Sequence, residues 1–232
     1  RKMGEMLVNS AFFGALLTIG SYLTGLWIKK KFKKAFLNPL LISILLTVGL
    51  LLLLRVDYPT YEAGAKYVSY LLTPATVCLA VPLYEQFQLL KKNAKAVLLG
   101  IFSGVLTSLG SIFLLSRLFR LDHATYVTLL PKSITTAIGV GVAEELGGYV
   151  SLTVAVILIT GVLGNMIAEG LCKLFRITDP IARGVAIGTG SHAIGTAKAM
   201  ELGEVEGAMS SLSIVVSGML TVLGAAVFAR FL

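Results

Sequence analysis

The sequence predicts an all-α, polytopic membrane helix bundle with interrupted or re-entrant helices and internal repeats. Three observations predict it: long windows without charge, charges gathered in short blocks between them, and prolines or glycines inside the remaining apolar stretches. Of 232 residues, 56% are hydrophobic and 14% charged, and the mean hydropathy is +0.87. A soluble domain carries about 25% charged residues, so this chain has too few to cover a surface facing water. No linker or low-complexity stretch divides it, and residues 1–232 read as one membrane domain.

The windows Met6–Ile28, Ala35–Leu54, Tyr67–Tyr84, Ala96–Ser116, Leu146–Ala168 and Gly207–Ala229 contain no charged residue. A bilayer core about 30 Å thick takes roughly 20 apolar residues of helix. Windows of this kind do not fit together inside one small soluble core. The first is more than a signal peptide, because others of membrane length follow it.

Met6–Ile28 is the first expected span, with Tyr22 and Trp27 placed as interfacial anchors. The block Lys29, Lys30, Lys31, Lys33, Lys34 ends it, and Ala35–Leu54 forms the second span. Lys91, Lys92 and Lys95 make a second basic loop. Lysine collects in cytoplasmic loops, beside anionic headgroups, so both blocks are placed there. The net charge of +8 is thus assigned to the membrane surface. No aromatic-interleaved basic face suggests nucleic acid.

The third segment, Lys66–Phe87, is interrupted. Pro74 and Pro82 each remove a backbone donor, and broken backbone at membrane depth survives only within protein or beside a wet cavity. Thr73 and Thr76 flank Pro74; they either satisfy freed backbone groups or contact a substrate. Ala96–Ser116 is a firm span with small residues, including the Gly100–Gly104 spacing that favours close helix packing.

Thr125–Gly148 is the second interrupted stretch. It holds Pro131, Lys132, Ser133, Thr135 and Thr136, then Glu144 and Glu145. Lys132 either pairs with a substrate carboxylate or snorkels to headgroups. Leu-Leu, proline, hydroxyls, an apolar run and a glutamate recur here and around Pro74, which suggests an internal repeat taking Pro74 to Pro131. Tyr84 and Glu85 read as interfacial, the alternative being a role in the site; Glu144 and Glu145 read as loop charges, the alternative being proton coupling.

Leu146–Ala168 is a further span, and Pro180–Leu202 the third interrupted segment. The latter carries Gly188, Thr189, Gly190, Ser191, His192, Gly195 and Thr196, with Arg183 and Lys198 on either side. Glycine weakens helix, and a helix restarting after a break directs amides and a positive dipole end at the gap. That suits a carboxylate. The competing reading is a Gly-rich helix packed tightly, with His192 hydrogen-bonded inside the bundle. Gly207–Ala229 is the last span. In all, about five firm spans alternate with three interrupted segments.

Enzyme chemistry finds little support. Ser191 and His192 are sequence neighbours and do not face each other on a helix. His123 and His192 lack metal spacing, Cys78 and Cys172 read as packing residues, and no cofactor is expected.

The stretches Leu72-Thr73-Pro74-Ala75-Thr76-Val77, Pro131-Lys132-Ser133-Ile134-Thr135 and Gly188-Thr189-Gly190-Ser191-His192-Ala193-Ile194-Gly195-Thr196 resemble the LrgB/CidB family of bacterial membrane proteins. The resemblance covers essentially the whole chain. It implies a multi-pass protein of the bacterial inner membrane, described as holin-like or antiholin-like and linked to autolysis. Plastid relatives are glycolate/glycerate translocators, and other bacterial members are tied to pyruvate uptake. The resemblance also implies a small LrgA/CidA-type membrane partner and a homo-oligomer.

Joined to the residues, it implies a secondary transporter of small monocarboxylates. The candidate site is Thr73, Thr76, Lys132, Ser133, Thr135, Thr136, Gly188, Thr189, Gly190, Ser191, His192, Gly195 and Thr196. The alternative is a holin-like or antiholin-like pore, or a regulator of murein hydrolase export, without a substrate site of its own. The firm spans read as apolar all round, which favours the transporter.

Overall fold

The computed structural model describes residues 12–32 and 38–232, and every regular element among them is helical. The described chain forms two compact units, residues 1–78 and 79–232.

In the first unit, α1 (Phe13–Phe32) packs against α2 (Pro39–Leu54) and α3 (Tyr58–Ser69), and α4 (Leu72–Cys78) follows. Gly14 of α1 abuts the backbone of Tyr61 and Ala65, and Gly25 abuts that of Pro39. The hydroxyls of Thr18 and Tyr61 share a 2.8 Å hydrogen bond. The side chain of Asn38 caps α2 by accepting from the Leu40 and Leu41 amides. This start leaves α2 with 16 residues, about 24 Å at 1.5 Å per residue, short of the full crossing expected of Ala35–Leu54. The parts of the first two expected spans at residues 1–11 and 33–37 lie outside the described residues.

The prolines correct one expectation. Pro39, Pro59, Pro74 and Pro180 occupy the first turns of α2, α3, α4 and the helix Pro180–Leu202, and Pro82 that of Ala80–Glu85. The first amides of a helix have no partner within it, so a missing N–H costs little there. Pro74 and Pro82 therefore begin helices, and the interruptions fall just before them, at Tyr70–Leu71 and Leu79. Pro131 is the exception: it sits in an irregular stretch between two helices.

The second unit contains α5 (Ala80–Glu85), α6 (Phe87–Leu118), α7 (His123–Leu129), α8 (Thr136–Glu145), α9 (Val150–Leu174), α10 (Pro180–Leu202) and α11 (Glu204–Phe228), closed by a 3-10 turn. Among the described residues, α6, α9 and α11 are the three helices long and apolar enough to cross a membrane, fewer than the firm spans expected. Lys91, Lys92 and Lys95 lie in the first turns of α6, where the sequence suggested a loop; lysine is a good helix former. α11 is central and packs against α5, α6 and α10. Ile101, Leu109, Tyr126 and Met209 are fully buried in its core.

Two segments between the long helices turn back on themselves. α10 breaks at His192, whose φ of 42° and ψ of −143° are not helical. Before the break, Gly184 abuts Glu206 and Met209 of α11, and Gly188 abuts Ser210. After it, the hydroxyls of Thr196 and Ser210 share a 2.7 Å hydrogen bond, and Met200 meets Gly207. The first arm thus runs along α11 in its own direction and the second runs against it. A methyl on Gly195 would lie 3.2 Å from the Ile187 carbonyl, whereas eight residues of straight helix span about 12 Å. α10 is a hairpin with its tip at His192.

α7 and α8 form a second hairpin around residues 130–135. Gly139 lies against Pro131, and Gly148 beyond α8 lies against Thr128 of α7. The Tyr149 amide donates to the Thr128 hydroxyl at 2.7 Å, and the Thr153 hydroxyl donates to the Thr128 carbonyl at 3.1 Å.

The hairpins enter from opposite ends. Along α6, Gly100 meets Val185 and Gly104 meets Thr189; then Ser108 meets Ser133, and Phe113 meets Tyr126 edge to face. Along α9, Thr153 and Ile157 meet the first hairpin, while Ile157, Gly161 and Gly164 meet the tip of the second. Along α11, Glu206 and Ser210 lie by the second hairpin, and Gly218 and Phe228 by Ile138 and Tyr126 of the first. All three long helices give one order, with the tips meeting midway. A lysine end (Lys91, Lys92, Lys95) receives the α10 hairpin; an arginine end (Arg117, Arg120, Arg230) receives the α7–α8 hairpin. Long helix and hairpin repeat in opposite sense, α6 with α7–α8 and α9 with α10. This structural repeat pairs other segments than the Pro74 and Pro131 stretches matched in sequence.

Candidate functional site

A cleft of about 700 Å³ opens beside the two tips. One wall is a stripe of α6 that includes Asn93, Gly100, Gly104, Ser108 and Ser111. These positions recur at intervals of seven, four, four and three residues, which places them on one helix face. α6 is therefore polar along one side, contrary to the expectation that the firm spans are apolar all round. The opposite wall is the first arm of α10, from Asp179 to Gly190, and Lys132 and Ser133 of the other hairpin close the bottom. From Pro180 to Gly190 the arm descends about 15 Å, half of a hydrocarbon core about 30 Å thick. The cleft thus runs from the lysine end to the hairpin tips.

Lys132 Nζ donates to Ser133 Oγ at 2.9 Å, and the Ser133 and Ser108 hydroxyls lie 3.1 Å apart. The ion pairs among the described residues, Lys173–Glu169, Arg183–Glu206, Lys198–Glu169 and Lys198–Glu201, leave Lys132 without a carboxylate. It is half-buried at a hairpin tip. A second, mostly apolar cleft of about 480 Å³ lies on the far side of α10 along α9; it shares Lys132 and Gly190 with the first and adds Ser191. The first arm of α10 is the partition between the two.

Each tip brings together one helix C-terminus and one N-terminus. Their end charges are about half a unit and of opposite sign, so they largely offset. The full charge of Lys132 sets the local sign.

The other predicted residues are distributed as follows. Thr189 and Gly190 line the first cleft with Lys132 and Ser133. Thr135 holds the N-cap position of α8 without a side-chain capping bond, and Thr136 opens the helix. Gly188 packs on Ser210, Gly195 on Ile187 and Ser191, and Thr196 bonds Ser210; these hold the hairpin together and to α11. His192 is buried with Nε2 3.1 Å from the Ile157 carbonyl and lines neither cleft. Thr73 is exposed in the first unit, and the side chain of Thr76 lies outside those described. The break and the tight glycine packing offered as competing readings thus coexist: the histidine breaks the helix and the glycines pack it.

Several contributors were not singled out from sequence. Ser108 offered only a small residue in a membrane helix. Asn165 donates to the Ile194 carbonyl at 2.7 Å beside the broken tip, and its position inside an apolar span was the available signal. Glu206, buried in the first turn of α11, pairs with Arg183 at 3.3 Å and fastens the hairpin base. Outside the long helices, Asp122 caps α7, and its hydrogen bond from the Thr125 hydroxyl holds its carboxyl below the ordinary range. Among the described residues no cluster of histidine, cysteine or carboxylates is placed to hold a metal ion.

The LrgB-like family model matches residues 18–231, nearly the whole chain and both hairpins. The chain belongs to the LrgB-like family. It is 36% identical over 216 residues to YwbG of Bacillus subtilis (strain 168), covering 93% of this chain and 96% of that one. It is 37% identical over 205 residues to YxaC of the same organism, covering 88% and 89%. Both relatives are described as uncharacterized proteins. No solved structure matches the chain. Family membership and three helices of membrane length make this LrgB-like chain a membrane protein, of transporter-like or holin-like kind. Its exposed apolar residues, such as Leu53 at 78% and Leu118 at 72%, are what a lipid-facing surface requires.

Proposed function

We propose that this LrgB-like protein is a secondary transporter of small organic monocarboxylates of the glycolate, glycerate and pyruvate type, bound where the hairpin tips meet. The observation that carries this reading is Lys132, a cation at the bottom of a half-depth cleft with Ser133 beside it and no carboxylate partner among the described residues. An ionisable group so deep in an apolar bundle is costly, and it marks a substrate or ion path by default. One half-buried cation suits one carboxylate. Interrupted helices from inverted repeats, meeting at mid-depth, are the usual setting of transporter sites. No enzymatic step enters the reading.

On this reading residues 1–232 act as one transport domain in the bacterial inner membrane, crossing it several times. Lysine and arginine alike favour the cytoplasm, and Lys91, Lys92, Lys95, Lys173 and Arg176 at the lysine end outnumber Arg117, Arg120 and Arg230 at the other, so on this reading the cleft faces inward. A small LrgA/CidA-type membrane partner and a homo-oligomer complete the proposal.

A second reading, a holin-like or antiholin-like pore or a regulator of murein hydrolase export, is favoured by one observation. The cleft side of α6 carries Asn93, Ser108 and Ser111, and a pore needs polar side chains on the face it turns to water. Uptake by the protein in liposomes separates the two. Saturable uptake of labelled glycolate, glycerate or pyruvate, competed by the unlabelled acids, is the expected result. Unsaturable leakage of large dyes, indifferent to those acids, would favour the pore.

A further inference from the structure

Thr189 sits in the first arm of the α10 hairpin, 6% exposed, and lines the same cleft as Lys132 and Ser133. Its hydroxyl is buried without any hydrogen-bond partner. A threonine inside a helix ordinarily donates to the carbonyl four residues earlier. Thr18, Thr107, Thr128 and Thr196 of this chain all do so, at 2.6 to 3.0 Å. Thr189 departs from this pattern, as does Thr153, which donates to the Thr128 carbonyl instead; Thr189 has no such substitute partner for its hydroxyl. Its methyl is turned to α6, so near that a methyl on Gly104 would lie 2.6 Å from Cγ2. Gly104 thus makes room for the methyl and leaves Thr189 Oγ1 with a donor and an acceptor unused.

α6 serves as a ruler for what those unused positions face. Gly104 meets Thr189, and Ser108, one turn further, meets Ser133 beside Lys132. Four residues of helix rise about 6 Å. A two- or three-carbon acid covers that distance with a hydrogen bond of about 2.9 Å at each end. With its carboxylate on Lys132 and Ser133, an oxygen on its second carbon falls towards Thr189. A hydroxyl suits this position because it donates to an oxo group and exchanges donor and acceptor roles with another hydroxyl.

We infer that Thr189 is a specificity-determining residue: its hydroxyl recognises the oxygen on the second carbon of a short monocarboxylate held by Lys132, and so rejects acids that lack it. The inference rests on the transporter reading for its carboxylate anchor and deepens that reading by naming the chemistry on the neighbouring carbon. A polar group left unpaired in a buried site is the strong form of discrimination, because an analogue without the oxygen cannot satisfy it.

The test compares propionate with its 2-hydroxy and 2-oxo derivatives, lactate and pyruvate, which share one carbon skeleton. Binding to the full chain in detergent is measured by ligand-induced thermal stabilisation, and flux in liposomes alongside. Wild type is expected to bind lactate and pyruvate at least about tenfold more tightly than propionate. Thr189→Val, which keeps the shape and removes the hydroxyl, brings the three acids within about twofold by weakening the oxygenated pair alone. Thr189→Ser keeps the preference. A wild type without preference, or a Thr189→Val protein that retains it or loses all three acids equally, overturns the inference. Selective binding that depends on Thr189 without any flux supports the assignment and sinks the transport reading instead.

Discussion

Lys132 is held at a tip where two helix ends offset each other and Ser133 supplies a neutral hydroxyl. Desolvation of an unpaired ammonium opposes folding, whereas the same ammonium is what an incoming carboxylate requires. Function and stability therefore respond to its removal with opposite sign. Lys132→Gln is expected to reduce affinity for a small carboxylate at least about tenfold, since losing one partner of a buried charged pair costs roughly 2–5 kcal/mol. Its melting temperature in detergent should stay level or rise. A fall in melting temperature, with substrate affinity intact, would make Lys132 a structural residue. His192 is the converse case. It stood in the sequence as an ionisable residue among glycines and drew attention as a ligand. In the structure its ring reaches the Ile157 carbonyl and its φ of 42° turns the chain. His192→Gly relieves the backbone and loses the anchor, so carboxylate affinity should remain within about threefold of wild type. A tenfold loss of binding would return His192 to the site.

At the scale of elements, the interruptions at Pro131 and near Gly190 were legible because proline and clustered glycine act locally, through a missing donor and a missing Cβ. Where the chain goes after a break is not local. A kinked span and a hairpin share one composition, and only contacts such as Gly195 with Ile187, or Gly148 with Thr128, distinguish them. The role of the other prolines was hidden for a similar reason: a proline opening a helix and one breaking it differ only in where the helix begins. The second tip is clamped against α9 by glycine. A methyl on Gly164 would overlap Ser191 Oγ and Cβ, and one on Gly161 would lie 2.7 Å from the His192 ring. Gly164→Ala is expected to destabilise the protein by about 1–3 kcal/mol through overpacking, read as a lower melting temperature. Ser191→Gly in the same chain removes the colliding atoms and should recover most of the loss. Equal melting temperatures for single and double variants would mean that Gly164 does not hold the tip.

At the scale of the molecule, opposed hairpins give a testable answer to a question that the apolar windows alone left open. Pro180–Leu202 contributes no crossing when it re-enters, and one crossing when it is a kinked span; its length permits both. Re-entry requires both ends of α10 at the lysine end and both ends of the α7–α8 hairpin at the arginine end. Single cysteines at Thr178 and Glu201 mark the first pair, and at His123 and Glu145 the second, all of them exposed, in a chain with Cys78 and Cys172 replaced. A membrane-impermeant maleimide applied to right-side-out and inverted vesicles should label Thr178→Cys and Glu201→Cys from one face only. His123→Cys and Glu145→Cys should react from the other face only. Labelling of Thr178→Cys and Glu201→Cys from opposite faces would make α10 a crossing helix. The tips would then no longer meet, and the cleft that ends on Lys132 would lose the partition that separates it from the second cleft along α9.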